Sequence, residues 1–189
     1  PHLITHWKLD ETEGNTAHDS AMQNDATVVG KAVWQPEDGH VEGALQFDGV
    51  STYLSAPFIL DPTKQPFSAY IWIKGGQAGQ AIISQQGAFG AWLFIDSTGK
   101  LSTSLTFPLP AFASDVAVTE DRWFRVGLAS DGSGMSLYVD DIEVARSDVS
   151  PILPATGDLH IGAGMNLKSG TFWSGLIDDV KIYDRIVKP

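Results

Sequence analysis

Apolar and polar side chains alternate along this chain in short runs, each cut off by Gly, Pro, Asn or Asp, and helical periodicity is hard to find. Alternation sends successive side chains to opposite faces of an extended backbone, so each run reads as a strand with a face to bury. The runs are Leu3–Leu9, Ala26–Val29, Gly43–Phe47, Tyr53–Ala56, Phe67–Lys74, Ala81–Ser84, Ala91–Ile95, Leu101–Phe107, Trp123–Ala129, Met135–Val139, Ile142–Ser147, Leu159–Gly162 and Gly175–Tyr183. Strands without helices must bury their apolar faces against one another, which predicts an all-β sandwich or barrel. At 189 residues, roughly 70% of the unfolded surface is buried on folding. Such a core needs neither metal nor disulfide. There is no internal repeat, linker composition or low-complexity tract, so one domain over residues 1–189 is expected.

Three segments carry more detail. In Phe67-Ser-Ala-Tyr-Ile-Trp-Ile-Lys74, residues Phe67, Ala69, Ile71 and Ile73 share one face while Tyr70 and Trp72 share the other. Both faces are apolar, which predicts a central strand. Around Asp140-Asp141 two apolar runs meet as a two-residue hairpin, although Asp-Gly would suit a type I′ turn better. In Trp173–Tyr183 the apolar parity changes between Ile177 and Val180, which predicts a bulge at Asp178-Asp179.

Charge and missing residue types exclude several functions. The 23 acids outnumber the 12 bases, a net charge of −11, and such a surface repels phosphate backbones and anionic membranes. No nucleic-acid partner is expected. Membrane insertion is not expected either, since no run approaches the roughly 20 apolar residues that span a bilayer. Without cysteine there is no disulfide, thiolate nucleophile or Cys-zinc site. The five histidines have no His-Glu-x-x-His spacing, and no Gly-x-Ser-x-Gly, Walker or dinucleotide-binding motif occurs. The opening Pro1-His2-Leu3-Ile4-Thr5 lacks an initiator Met and a signal-peptide pattern, so the chain is expected to be a segment excised from a larger protein.

Several stretches, in order, resemble the LamG-like jelly rolls of the concanavalin A-like lectin/glucanase superfamily. These are Trp7–Ser20, Asn24–Gly30, Gly43-Ala-Leu-Gln-Phe-Asp-Gly49 with Tyr53-Leu54, Phe67–Lys74, Trp123-Phe-Arg-Val126, Ser136-Leu-Tyr-Val-Asp-Asp141 and Trp173–Arg185. Asp141 stands where the pattern usually has Gly. The resemblance implies a two-sheet antiparallel jelly-roll sandwich whose first and last strands lie close together, and it places Trp7, Trp72 and Trp123 at core aromatic positions. It does not imply one activity, because the fold hosts lectins, adhesion modules and glycosidases. The glucanase pattern Glu-x-Asp-x-x-Glu is missing; Glu37-Asp38-Gly-His-Val-Glu42 comes nearest but lacks its alternation.

Acids and amides gather at Asp10–Asp25, Asp48 and Asp178-Asp179. They supply the hard oxygens that calcium takes, although Asx-turns on a solvated rim explain them equally. The resemblance implies a structural calcium, with Asp19 and Asp178 as side-chain ligands, Asn24 lending an oxygen, Asp48 a further candidate and Asp179 the alternate to Asp178. For ligand binding, Phe107-Pro-Leu-Pro-Ala-Phe112 is apolar yet its prolines forbid a normal strand. It is either a loop offering Phe107 and Phe112 to a sugar or partner, or a lid over the core. Gly87-Ala-Phe-Gly90 is a similar segment, and Trp92 shares strand parity with Phe94. The expectation is a non-catalytic, secreted, periplasmic or cell-surface module that binds carbohydrate through Trp92, Phe107 and Phe112. The alternatives are an adhesive spacer contacting cell-surface protein and an unusual glycoside hydrolase.

Overall fold

The computed structural model describes residues 2–189. Its strands are β1 (Leu3–Trp7), β2 (Thr16–Ala17), β3 (Ala26–Val29), β4 (Val33–Gln35), β5 (Ala44–Asp48), β6 (Tyr53–Ala56), β7 (Phe67–Lys74), β8 (Ala81–Gln85), β9 (Leu93–Ile95), β10 (Lys100–Thr103), β11 (Phe112–Ala117), β12 (Phe124–Ser130), β13 (Met135–Val139), β14 (Ile142–Ser147), β15 (Leu159–Ile161) and β16 (Ser174–Tyr183). They form two eight-stranded sheets. One runs β14-β13-β12-β7-β16-β5-β4 with β1 also paired to β16, and the other runs β11-β10-β9-β8-β15-β6-β3-β2. The named pairings are antiparallel throughout, as the jelly-roll resemblance implied.

One hydrophobic cluster fills the space between the sheets. Phe67, Ala69, Ile71 and Ile73 reach it from β7, and Leu54, Leu93, Leu101 and Ile161 from the opposite sheet. β7 lies inside its sheet, between β12 and β16, and its other face is covered as well. There Tyr70 packs with Tyr138, and its hydroxyl donates to the Val187 carbonyl at 2.5 Å, strapping the C-terminal residues across the sheet. Trp7 and Trp173 are core residues. Trp72 and Trp123 are not. Both are half-buried, and the Trp72 ring lies under His40 at 3.5 Å. The period of two already put Trp72 on the face opposite the core residues of β7.

β16 organises the first sheet. Residues 174–177 pair with β5 and residues 180–183 pair with β1. The register slips between Asp178 and Lys181, where Asp179 adopts a φ of 49°. The parity break thus marks a bulge at which the strand changes neighbour on one side. Beyond the β1–β16 ladder, the Asp184 N–H donates to the His2 carbonyl at 3.0 Å, so the first and last strands close together.

The Asp140-Asp141 hairpin forms with both residues at positive φ, 50° and 67°. Two arginines hold this unfavourable backbone in place: Arg122 bonds Asp140 at 2.9 Å and Arg125 bonds Asp141 at 2.6 Å. The run predicted as Leu101–Phe107 ends at Thr103. From there the Phe107 N–H donates to the Ser104 carbonyl and the Leu109 N–H to that of Thr106, so the chain turns instead of extending. β2, β4 and β11 were not expected.

Candidate functional site

Of the acids expected to hold calcium, Asp19 and Asp48 shape their own loops. The Asp19 carboxylate accepts backbone N–H bonds from His6 at 2.8 Å, Ala21 at 2.9 Å and Asn24 at 3.1 Å, which shapes its own loop. The Asn24 side chain donates to the Ile4 carbonyl, and its own carbonyl accepts the Trp7 indole N–H. Asp48 accepts N–H bonds from Val50, Ser51 and Thr52 together with the Ser51 hydroxyl. Among the described residues, no three His, Asp or Glu side chains converge in a way that could hold a metal ion. The oxygens of Asp19 and Asp48 are thus engaged by N–H and O–H donors of the protein, whereas Asp178 keeps one oxygen without a partner among the described residues.

Burial works against the ionised Asp48, but the donors of residues 50–52 outweigh it and hold the carboxyl well below the usual carboxylate range. Its stabilisation is therefore present above the ordinary carboxylate pKa and lost as pH falls through the folded value. Asp48→Ala is expected to remove about 1–2 kcal/mol at pH 7, lowering the melting midpoint by roughly 3–6 °C. An unchanged midpoint would show that water satisfies the turn equally well.

Asp178 is fully buried on the outer side of the first sheet, beneath the loop of residues 36–43. Its Oδ2 accepts the Val41 N–H at 2.7 Å, while Oδ1 is buried with no partner among the described residues. Burial first, then the nearby charges of Asp179 and Asp10, lift its pKa to about 7. Its neighbour behaves oppositely. Burial also opposes ionisation of Asp179, but hydrogen bonds from His6 at 2.5 Å and Lys181 at 2.8 Å outweigh it and bring it to about 2.

The expected ligand aromatics separate. Trp92 is completely buried against Phe67, with ring centroids 4.9 Å apart, so it offers no face to a ligand. Phe112 opens β11 opposite Thr103 and packs on the core, which is the lid reading for that residue. Phe107 is exposed. Its ring stacks nearly parallel on that of Phe89, at 5.7 Å and 10°, so the structure joins the two apolar loop segments singled out in the sequence.

The loop carrying Phe89 borders a groove on the outer face of the second sheet. Its polar floor is one lateral row across four adjacent strands, in which Thr27 pairs with Ser55, Ser55 with His160, and His160 with Ser84. Over this row folds the loop of residues 163–172. Gly162 starts it with a φ of 79°, where a Cβ would lie 2.6 Å from the Phe47 ring, so only glycine allows the turn. The Ser84 hydroxyl then donates to the Ala163 carbonyl at 2.6 Å, and His160 Nδ1 bonds the Gly164 carbonyl at 3.2 Å.

Two cavities result, and they share Met165. The larger, about 280 Å³, is lined by Tyr53, Ser55, Gln86, His160, Asn166 and Leu167 as well. The smaller, about 160 Å³, includes Ala91, Phe94, Ser104 and Thr171. Gln86 and Ala91 flank Phe89 in sequence, so its loop touches both. Neither lining contains an Asp or Glu. Sequence reasoning missed this groove. The outward phase of Ser55 and His160 was legible from their apolar neighbours, but nothing local announced that Asn166 and Gln86 would meet them.

Solved structures share this architecture. Domain 4 of AbnA, an extracellular GH43 arabinanase of Geobacillus stearothermophilus solved with arabinotriose, superposes with a TM-score of 0.73 at 16% identity, over 97% of this chain and 93% of that one. Trypanosoma rangeli sialidase in complex with sialic acid gives 0.73 at 16% identity, over 98% of this chain but only 31% of the sialidase. The binding domain of Paraclostridial Mosquitocidal Protein 1 gives 0.76 at 10% identity, over 98% of this chain and 49% of that one. At such identities the likeness speaks for the fold. No curated protein matches the chain. The family model of the concanavalin A-like lectin/glucanases matches residues 48–189, from the end of β5 through β16. With most of its length under that match and its two sheets arranged as above, the chain belongs to the concanavalin A-like lectin/glucanases superfamily.

Proposed function

We propose that this chain is a non-catalytic, extracellular carbohydrate-binding module whose ligand lies in the groove on the second sheet. The observation that carries this reading is the groove itself: two adjoining cavities with neutral hydrogen-bonding groups at Ser55, Gln86, His160 and Asn166, aromatic side chains at Tyr53 and Phe94, and the exposed Phe89–Phe107 pair beside them. Sugars present hydroxyls at their edges and C–H groups on their faces, and a few placed polar groups beside aromatic surface suit both. The arabinotriose complex of the arabinanase domain supports the ligand class and makes arabinotriose the first probe. A non-catalytic role is supported by the lining, since glycoside hydrolysis needs two carboxyl groups flanking the bond.

The adhesive-spacer reading draws on one observation. Phe89 is 62% exposed, Phe107 43% and Leu109 50%, an apolar surface that also suits a protein partner. Affinity electrophoresis on soluble polysaccharides separates the two. Phe107→Ala and Asn166→Ala are expected to melt within about 2 °C of the parent while weakening glycan retention roughly tenfold each. If both variants retain every glycan as the parent does, the groove is not the site.

A further inference from the structure

Resting on that reading, we infer that the groove selects neutral glycans and rejects acidic ones such as sialylated or uronate-bearing chains. An acidic sugar brings a carboxylate that must lose water on entering a cavity, and that loss is offset only by a cation or several donors placed to meet it. The groove offers no cation. Neither cavity lining includes Arg or Lys. Lys168 follows Leu167 on the covering loop, but its side chain lies outside both linings. Elsewhere Arg125, Arg146 and Lys181 are already paired with Asp141, Asp131 and Asp179.

The imidazole on the floor points the same way. The Gly164 carbonyl can only accept, so the Nδ1 of His160 that bonds it carries the proton. That N–H is therefore spent on the covering loop and is not free to meet a carboxylate. A net charge of −11 adds long-range repulsion of anions. Neutral hydroxyls meet no such opposition, because the amides of Gln86 and Asn166 and the hydroxyls of Tyr53 and Ser55 donate and accept without bringing charge.

The test is calorimetric titration of the whole chain with matched probes at low and physiological salt. Lactose is compared with 3′-sialyllactose, and arabinotriose and galactotriose with trigalacturonate. At least one neutral probe is expected to bind more than about tenfold tighter than its acidic counterpart, with the gap narrowing but persisting at higher salt. Asn166→Lys is expected to raise affinity for the acidic probe of that pair, because it places a cation in the lining. Acidic probes binding as well as neutral ones would overturn the selectivity while leaving the glycan site standing. Failure of every probe, extended to a glycan array carrying both classes, would overturn the site and the selectivity together.

Discussion

Trp92→Ala is expected to lower the melting midpoint by roughly 10 °C and to leave the chain near the limit of stable folding. The side chain is completely buried between the sheets and rests against Phe67. Truncating a buried tryptophan forfeits its transfer free energy and leaves a cavity, together about 3–5 kcal/mol. In a domain of this size each kcal/mol moves the midpoint by about 2–4 °C. Trp92→Phe separates loss of volume from loss of the indole. The indole Nε1 is buried without a partner among the described residues, so phenylalanine also removes an unsatisfied donor. A deficit smaller than that of the alanine variant is expected for it, because the phenyl ring refills most of the cavity. Thermal melts of the two variants decide the matter. An alanine variant as stable as the parent would put the ring at the surface after all.

Asp178→Asn is expected to act in the opposite direction. The native chain holds the Asp178 proton up to about pH 7, whereas in the unfolded chain the group ionises near its ordinary value of 3.8. Native Asp178 therefore binds the proton more tightly, so its contribution is favourable below pH 4 and lost as pH climbs towards 7. Asparagine keeps an oxygen for the Val41 N–H and brings no charge into the buried site. The rise from 3.8 to about 7 sets a ceiling near 4 kcal/mol. The new amide N–H bonds also need partners, so a gain of about 2 kcal/mol at pH 8 is expected, raising the midpoint by roughly 4–8 °C. At pH 4 the gain should vanish. Melts of parent and variant across this range test both the size and the sign, and a variant less stable than the parent at pH 8 would show that the ionised form is the one the loop of residues 36–43 requires.

These two positions also show how far the sequence could be read. Phase breaks carry much of the difference. At Ile177 and Val180 the break was visible, because two carboxylates interrupt the apolar series, and the bulge lies where the parity changes. A second break lies between Trp92 and Leu93, both of which face the core. There every residue is apolar, so nothing in the pattern records the change of phase, and parity with Phe94 wrongly carried Trp92 outward. The short strands β2 and β4 were missed because runs of two or three residues have too little period to detect. β11 was missed because its first residue, Phe112, was read together with the loop that the prolines at 108 and 110 impose. For the site, those prolines marked Phe107 as a loop residue but left open whether it faced solvent or covered the core. The groove was not legible, since it is assembled from strands and loops far apart in the chain, and contacts of that kind leave no local signature.

The closure of β1 against β16 sets how this fold can be joined to anything else. His2 and Asp184 are bonded through their backbones and again through their side chains, at 3.0 Å each. The two strands thus meet at one place, but residues 185–188 run on from there across β7 and come to lie beside Ala129, Ser136 and Arg146 of β12, β13 and β14. A segment joined ahead of His2 would therefore start beside β16, whereas one joined after Lys188 would start several strand widths away on the same sheet, so two neighbours tethered here would be held apart by the sheet itself.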